Sequence, residues 1–250
     1  MFSEDSNSMQ ASVSPAESIE APQAAGDPAL TEDLALALLK RVDLTGEAIE
    51  RLSKNSGLMR SRKVRLALVQ HPHAPRHVSM LMVGHLFTFD LMQVAMAPAV
   101  PADVKIAADQ ALINRLEKIS TGERLSLARR ASGRVAGALL LDPEPRVMRA
   151  ALRNSRLTEA GVIRALMRHS AAPTLVEAVC RHSKWSVRRE VRIALLRNER
   201  TPLARVLEFA RQLPRPLALE VLQGSRLPEN IKSCVRHELH RDGAAPAERN

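Results

Sequence analysis

From residue 30 to residue 240 the apolar positions recur with the 3.6-residue period of amphipathic helices, not the two-residue period of strands. Caps and breakers cut this pattern into short pieces. It predicts helices over 30–42, 46–53, 60–70, 75–86, 89–96, 101–118 and 120–130, the last opened by the capping-box pattern Ser120-Thr-Gly-Glu123. Five further helices close at 142, 154, 169, 182 and 198, and three more are predicted over 202–212, 215–223 and 228–240.

Inside this pattern one eight-residue phrase recurs. Its clearest copy is Val147-Met-Arg-Ala-Ala-Leu-Arg-Asn154, and others end at His71, Asp142, His169, His182 and Asn198. Positions one, four, five and six are apolar, which gathers them on one helical face. Position four is alanine in every copy (Ala67, Ala138, Ala150, Ala165, Ala178, Ala194), a size that lets helix axes approach closely. The closing Asn or His reads as a helix end, where Asn tolerates the left-handed C-cap conformation. Four residues later comes Pro75, Pro173 or Pro202, read as the first residue of the next helix. Alternate phrase ends lie 27 to 29 residues apart, so the predicted repeat is a helix pair with alternate helices in two layers. The expected fold is all-α, a right-handed superhelical solenoid of helix pairs over 28–240. It would be preceded by a disordered acidic Ala/Ser/Pro-rich tail at 1–27 and followed by a flexible tail at 241–250.

The stretch between Val78 and Val100 is long and apolar enough to raise the question of a membrane span. Asp90 within it is costly in lipid, Thr88 and Asp90 read as a helix start, and Pro98 and Pro101 end the run. Two short buried helices joined near Phe87 and Thr88 are expected instead. With no basic and apolar leader at residue 1, the expected location is cytoplasmic.

Composition changes the picture in two ways. The chain has no Tyr, one Trp and four Phe, so its core must be built from aliphatic side chains and Met, which suits packed helices. Two cysteines, Cys180 and Cys234, exclude a disulfide framework and a four-cysteine zinc site, and read as buried reduced thiols. The net charge is +10, and the segment 1–27 holds five acidic residues and no Lys or Arg, so the rest of the chain carries +15. So basic a body attracts polyanions: nucleic acid, acidic protein or an anionic membrane surface.

The run from Leu139 to Pro202 resembles the bacterial leucine-rich repeat variant and HEAT-like families. The residues that carry the likeness are Asp142-Pro143, then Val191-Arg-x-Ala, then Asn198-x-x-Thr201-Pro202. The resemblance implies an armadillo-type α-solenoid, and carries no catalytic residue with it because these families share no single activity. HEAT-like alkylpurine DNA glycosylases are similar in size and charge. They need an aromatic cage for the extruded base, which a chain with no Tyr and one Trp is poorly equipped to supply.

The candidate site is an arginine column. Arg153, Arg168, Arg181 and Arg197 occupy the same phrase position, with Arg149, Arg164, Arg188, Arg189 and Arg192 near in sequence. The layer argument stacks Arg153 with Arg181 and Arg168 with Arg197. Such a column could hold phosphates along a polymer, or it could complement the negative ends of its own helix dipoles. Trp185, beside Lys184, could anchor a partner or pack between repeats. Gly133 and Gly137 read as points of close helix contact. The histidines at 71, 73, 77, 237 and 240 lack the spacing of a metal site, and no catalytic motif, cofactor or small-molecule substrate is indicated. The sequence therefore predicts a non-enzymatic binding or scaffolding protein whose partner is another protein. Nucleic acid along the arginine column is the alternative, and peripheral membrane contact or a glycosylase stand further off.

Overall fold

The computed structural model describes residues 30–244, and every regular element in that range is helical. The tail predicted at 1–27 lies outside the described residues, as do 245–250. The chain divides into two compact units, one to Ala111 and one from Leu112.

The first unit contains α1 (Glu32–Leu38), α2 (Gly46–Lys54), a 3-10 turn at Leu58–Arg60, α3 (Arg62–Gln70), α4 (Arg76–Val83) and α5 (Thr88–Met96). The stretch tested for a membrane span is thus two helices, and no described helix is long and apolar enough to cross a membrane. Asp90, 1% exposed, explains the break physically. It accepts a forked pair of hydrogen bonds from Arg62 at 2.7 and 2.8 Å, an ion pair that needs a protein partner. Packing here runs both between neighbours, α3 on α4, and between helices two apart, α1 on α3 and α3 on α5.

The helix α6 (Ala102–Ile113) stops five residues before the predicted end, and a 3-10 turn at Leu116–Lys118 takes up the rest. The second unit then holds α7 (Thr121–Arg130), α8 (Gly133–Leu139), α9 (Pro145–Leu152), α10 (Glu159–Leu166), α11 (Pro173–Arg181), α12 (Arg189–Leu196), α13 (Leu203–Arg211), α14 (Arg215–Gln223) and α15 (Glu229–Ala244). The last helix enters the span expected as a tail, and its Arg241 pairs with Glu238 one turn earlier at 3.0 Å. Two helix series alternate in sequence: α7, α9 and α11 pack in succession, and so do α8, α10, α12 and α14. Gly137 and Gly161 face each other across α8 and α10, so closely that a Cβ on Gly137 would sit 3.8 Å from the Gly161 Cα.

Several starts follow their caps. Ser120 and Glu123 form the reciprocal capping box, and Ser132 and Thr158 accept amides of α8 and α10. Pro173 begins α11, but Pro75 and Pro202 stand one position earlier, as N-caps of α4 and α13. Pro145 holds the first position of α9.

The closing residue of the phrase does more than end a helix. In five copies its side chain accepts the backbone N–H two residues on: His73 to His71, Glu144 to Asp142, Arg156 to Asn154, Lys184 to His182 and Arg200 to Asn198. His71 and His182 are extended, with φ of −69° and −80°, and so are not left-handed caps. Three of these side chains also reach back to an earlier helix or the turn that follows it. Asn154 donates to the Ala128 and Ala131 carbonyls at 2.9 and 3.2 Å, Asn198 to Leu166 at 2.7 Å, and the His71 ring to Arg41 at 2.9 Å. Asn154 and Asn198 thereby supply donors to carbonyls left without an intrahelical partner at a helix end. Asn154→Ala should therefore cost about 1–3 kcal/mol, since buried groups lose their partners. A urea titration followed by circular dichroism checks this, and an unchanged midpoint would show that the amide is not a structural link.

Candidate functional site

Two adjoining hollows of about 580 and 390 Å³ lie across α7, α9 and α11 and meet at Arg149 and Arg153. The first is lined by Arg129, Arg146, Arg149 and Arg153, and the second adds Arg181, Glu177 and His182. Together they form one basic groove over three successive helices of one series. Its floor contains Ala150 and Ala178, the fourth positions of two phrases. In these copies the small residue leaves room between arginines, whereas Ala165 and Ala194 in α10 and α12 are buried against neighbouring helices.

The electrostatics of the groove are one-sided. Arg181 is paired with Glu177 at 2.6 Å, one turn earlier on α11. Arg129, Arg146, Arg149 and Arg153 are all exposed, and none pairs with a carboxylate of any described residue. His182 registers this field. Desolvation, then the charges of Arg153 and Lys184, hold its ring below the usual histidine range, since each disfavours the imidazolium.

The structure sorts the sequence candidates. Arg149, Arg153 and Arg181 come together in the groove. Arg164, Arg168, Arg188, Arg189, Arg192 and Arg197 belong to the other series or its loops, at α10 and α12. Arg192 is held inward, donating to the Ser186 carbonyl at 2.7 Å, with its guanidinium 6.0 Å from the Phe209 ring. Arg197 caps α12, and its carbonyl accepts the Arg226 N–H at 3.2 Å. The Arg226 guanidinium spans the ends of that series, donating to His169 at 3.1 Å.

Trp185 is turned inward, as the reading in which it packs between repeats expected. It is 2% exposed, and its indole donates to the Leu152 carbonyl at the end of α9 at 3.0 Å. Burying so large a ring between helices stabilises more than presenting it to a partner, and its one polar atom finds an acceptor there. Lys184 covers the ring, with its ammonium 4.2 Å from the centroid. Cys180 is buried as expected and its thiol is pushed up to about 11, mainly by desolvation, whereas Cys234 is exposed, contrary to expectation. His71 and His73 direct ring nitrogens at backbone groups of the first unit.

Sequence reasoning missed Arg146, and reached Arg129 only through Arg129-Arg-Ala-Ser-Gly-Arg134, a weak likeness to a phosphate-cradling helix start. Neither holds the repeated position: Arg129 is in the last turn of α7, and Arg146 is in the first turn of α9. A signal was present for Arg146, a cation directly after a helix-starting proline where an acidic residue is preferred.

Comparison with protein-family models, with curated proteins and with solved structures returns no match.

Proposed function

We propose that this protein is a non-enzymatic binding protein of the α-solenoid type, its helix pairs continuing as a right-handed superhelix. The arginine groove is its docking face for a negatively charged macromolecule. The alternation of the two helix series supports the solenoid, as does the likeness of 139–202 to leucine-rich repeat variant and HEAT-like proteins.

The observation that carries the binding reading is Arg146. Helix-end electrostatics accounts for Arg129, Arg149 and Arg153, which lie in or just after last turns. It works against Arg146, which adds a positive charge to the positive end of α9. An exposed cation at an unfavourable helix end, turned into a groove with three other unpaired arginines, serves something outside its own helix. A base-extruding glycosylase is the weaker reading, because the one tryptophan is buried and bonded to Leu152. A cytoplasmic location belongs to the same proposal.

Retention on immobilised heparin tests it. The parent protein should elute at clearly higher salt than an Arg146→Ala, Arg149→Ala, Arg153→Ala variant. Equal elution would place polyanion binding outside the groove.

A further inference from the structure

We propose that the groove across α7, α9 and α11 takes the phosphodiester backbone of a double-stranded nucleic acid, independently of its sequence. This rests on the reading of the groove as a polyanion-docking face and names the partner.

Three features of the lining select this class. The first is its lack of apolar anchors. Protein interfaces centre on large apolar or aromatic side chains in desolvated pockets. The apolar part of this groove is Leu125, Ala150, Leu152 and Ala178, and the exposed Phe87, Val187 and Leu203 line no part of it. The second is the lack of a stacking platform. Single strands are held by aromatic rings under their bases. Here the only ring in the lining is His182, and Trp185 is buried. The third is the charge pattern. Five guanidinium groups and no lysine line the two hollows, and the single carboxylate, Glu177, is already bonded to Arg181. Guanidinium forks match phosphate oxygens two at a time.

The dimensions agree. Packed helices lie about 8–10 Å apart, so three in succession spread their arginines over roughly 16–20 Å. One strand of a duplex presents a phosphate about every 3.4 Å along its axis, or about five over that length. The groove carries five arginines against that number. No amide projects beyond the arginine rows to pair with adenine, and the arginines are placed to meet the phosphates first. The one amide there, Asn154, is 3% exposed and bonded to α7.

The test is fluorescence anisotropy with five probes at matched ionic strength: a mixed-sequence DNA duplex, an RNA duplex, a single strand, a polyglutamate peptide and anionic phospholipid vesicles. At least one duplex should bind most tightly, with log K falling by about 0.9 per phosphate contact for each decade of salt. Arg149→Ala combined with Arg153→Ala should weaken duplex binding at least about tenfold and flatten the salt slope by about two. Both side chains are exposed and unpaired, so circular dichroism of the variant should match the parent. Arg149→Lys with Arg153→Lys should recover most of the slope.

Tighter binding of peptide, vesicle or single strand would overturn the duplex assignment and leave the polyanion face standing. Duplex binding untouched by the double variant would overturn the groove as its site. Failure of all five probes would overturn this inference and the function on which it rests.

Discussion

Trp185→Ala is expected to destabilise the protein by about 3–5 kcal/mol, the range for deleting a fully buried large ring. The side chain is 2% exposed, so the loss combines buried apolar area with a cavity that neighbouring helices fill only in part. A second effect adds to this. The indole N–H is the partner of the Leu152 carbonyl, one of the terminal α9 carbonyls that has no intrahelical donor. Trp185→Phe separates the two contributions: it keeps most of the ring and leaves the carbonyl unpaired, for an expected cost of about 1–2 kcal/mol. Urea denaturation read by far-ultraviolet circular dichroism measures both. Trp185 is the only tryptophan, so fluorescence reports the parent alone. A parent-like midpoint for the alanine variant would return Trp185 to the surface as a candidate anchor.

Gly133→Ala is expected to destabilise by about 3 kcal/mol, the upper part of the range for overpacking. A Cβ there would overlap the Arg156 carbonyl oxygen and lie 3.2 Å from its carbon, both backbone atoms. The loop that carries Arg156 has little freedom to retreat. Its N–H is bonded to Asn154, whose amide is in turn bonded to the Ala128 and Ala131 carbonyls. Gly122→Ala is the matched control. Gly122 also lies in the first turn of its helix, α7, and nothing stands within 4 Å of its added methyl. There the substitution should stabilise by about 0.4–1 kcal/mol, through the reduced freedom of the unfolded chain. Two Gly→Ala changes in neighbouring helices should thus move the urea midpoint in opposite directions. Shifts of the same sign would refute close packing at Gly133.

The contrast between these glycines shows how far local pattern reaches. Both precede helical runs and both are compatible with a helix start in sequence. Only the return of the chain at Arg156, 23 residues later, makes one of them indispensable.

The terminal asparagine has the same history. Asn154 and Asn198 were readable as helix ends, because a short polar side chain competes for local backbone groups. That competition is present, as the Asn154 bond to the Arg156 N–H. The other half of the amide bonds to the helix two earlier, and no local rule points to it.

What the sequence by itself determined is the set of α-helices, the starts of most of them and the alternating two-series repeat. These follow from apolar period, capping residues and proline, all of which act within a few residues. Several helix ends, by contrast, fall three to five residues from where the sequence placed them. The separation of Arg153 and Arg181 from Arg168 and Arg197 was legible too, because alternate phrase ends fall in one series. Tertiary structure alone decided that the first pair faces a groove. It also brings in Arg129 and Arg146, which no repeat marks, and it decides between the two readings of Trp185 by burying the ring. The physical reason is one of range. A helix period records which side of a helix is buried, whereas a groove is made by three helices whose contacts depend on packing between residues tens of positions apart.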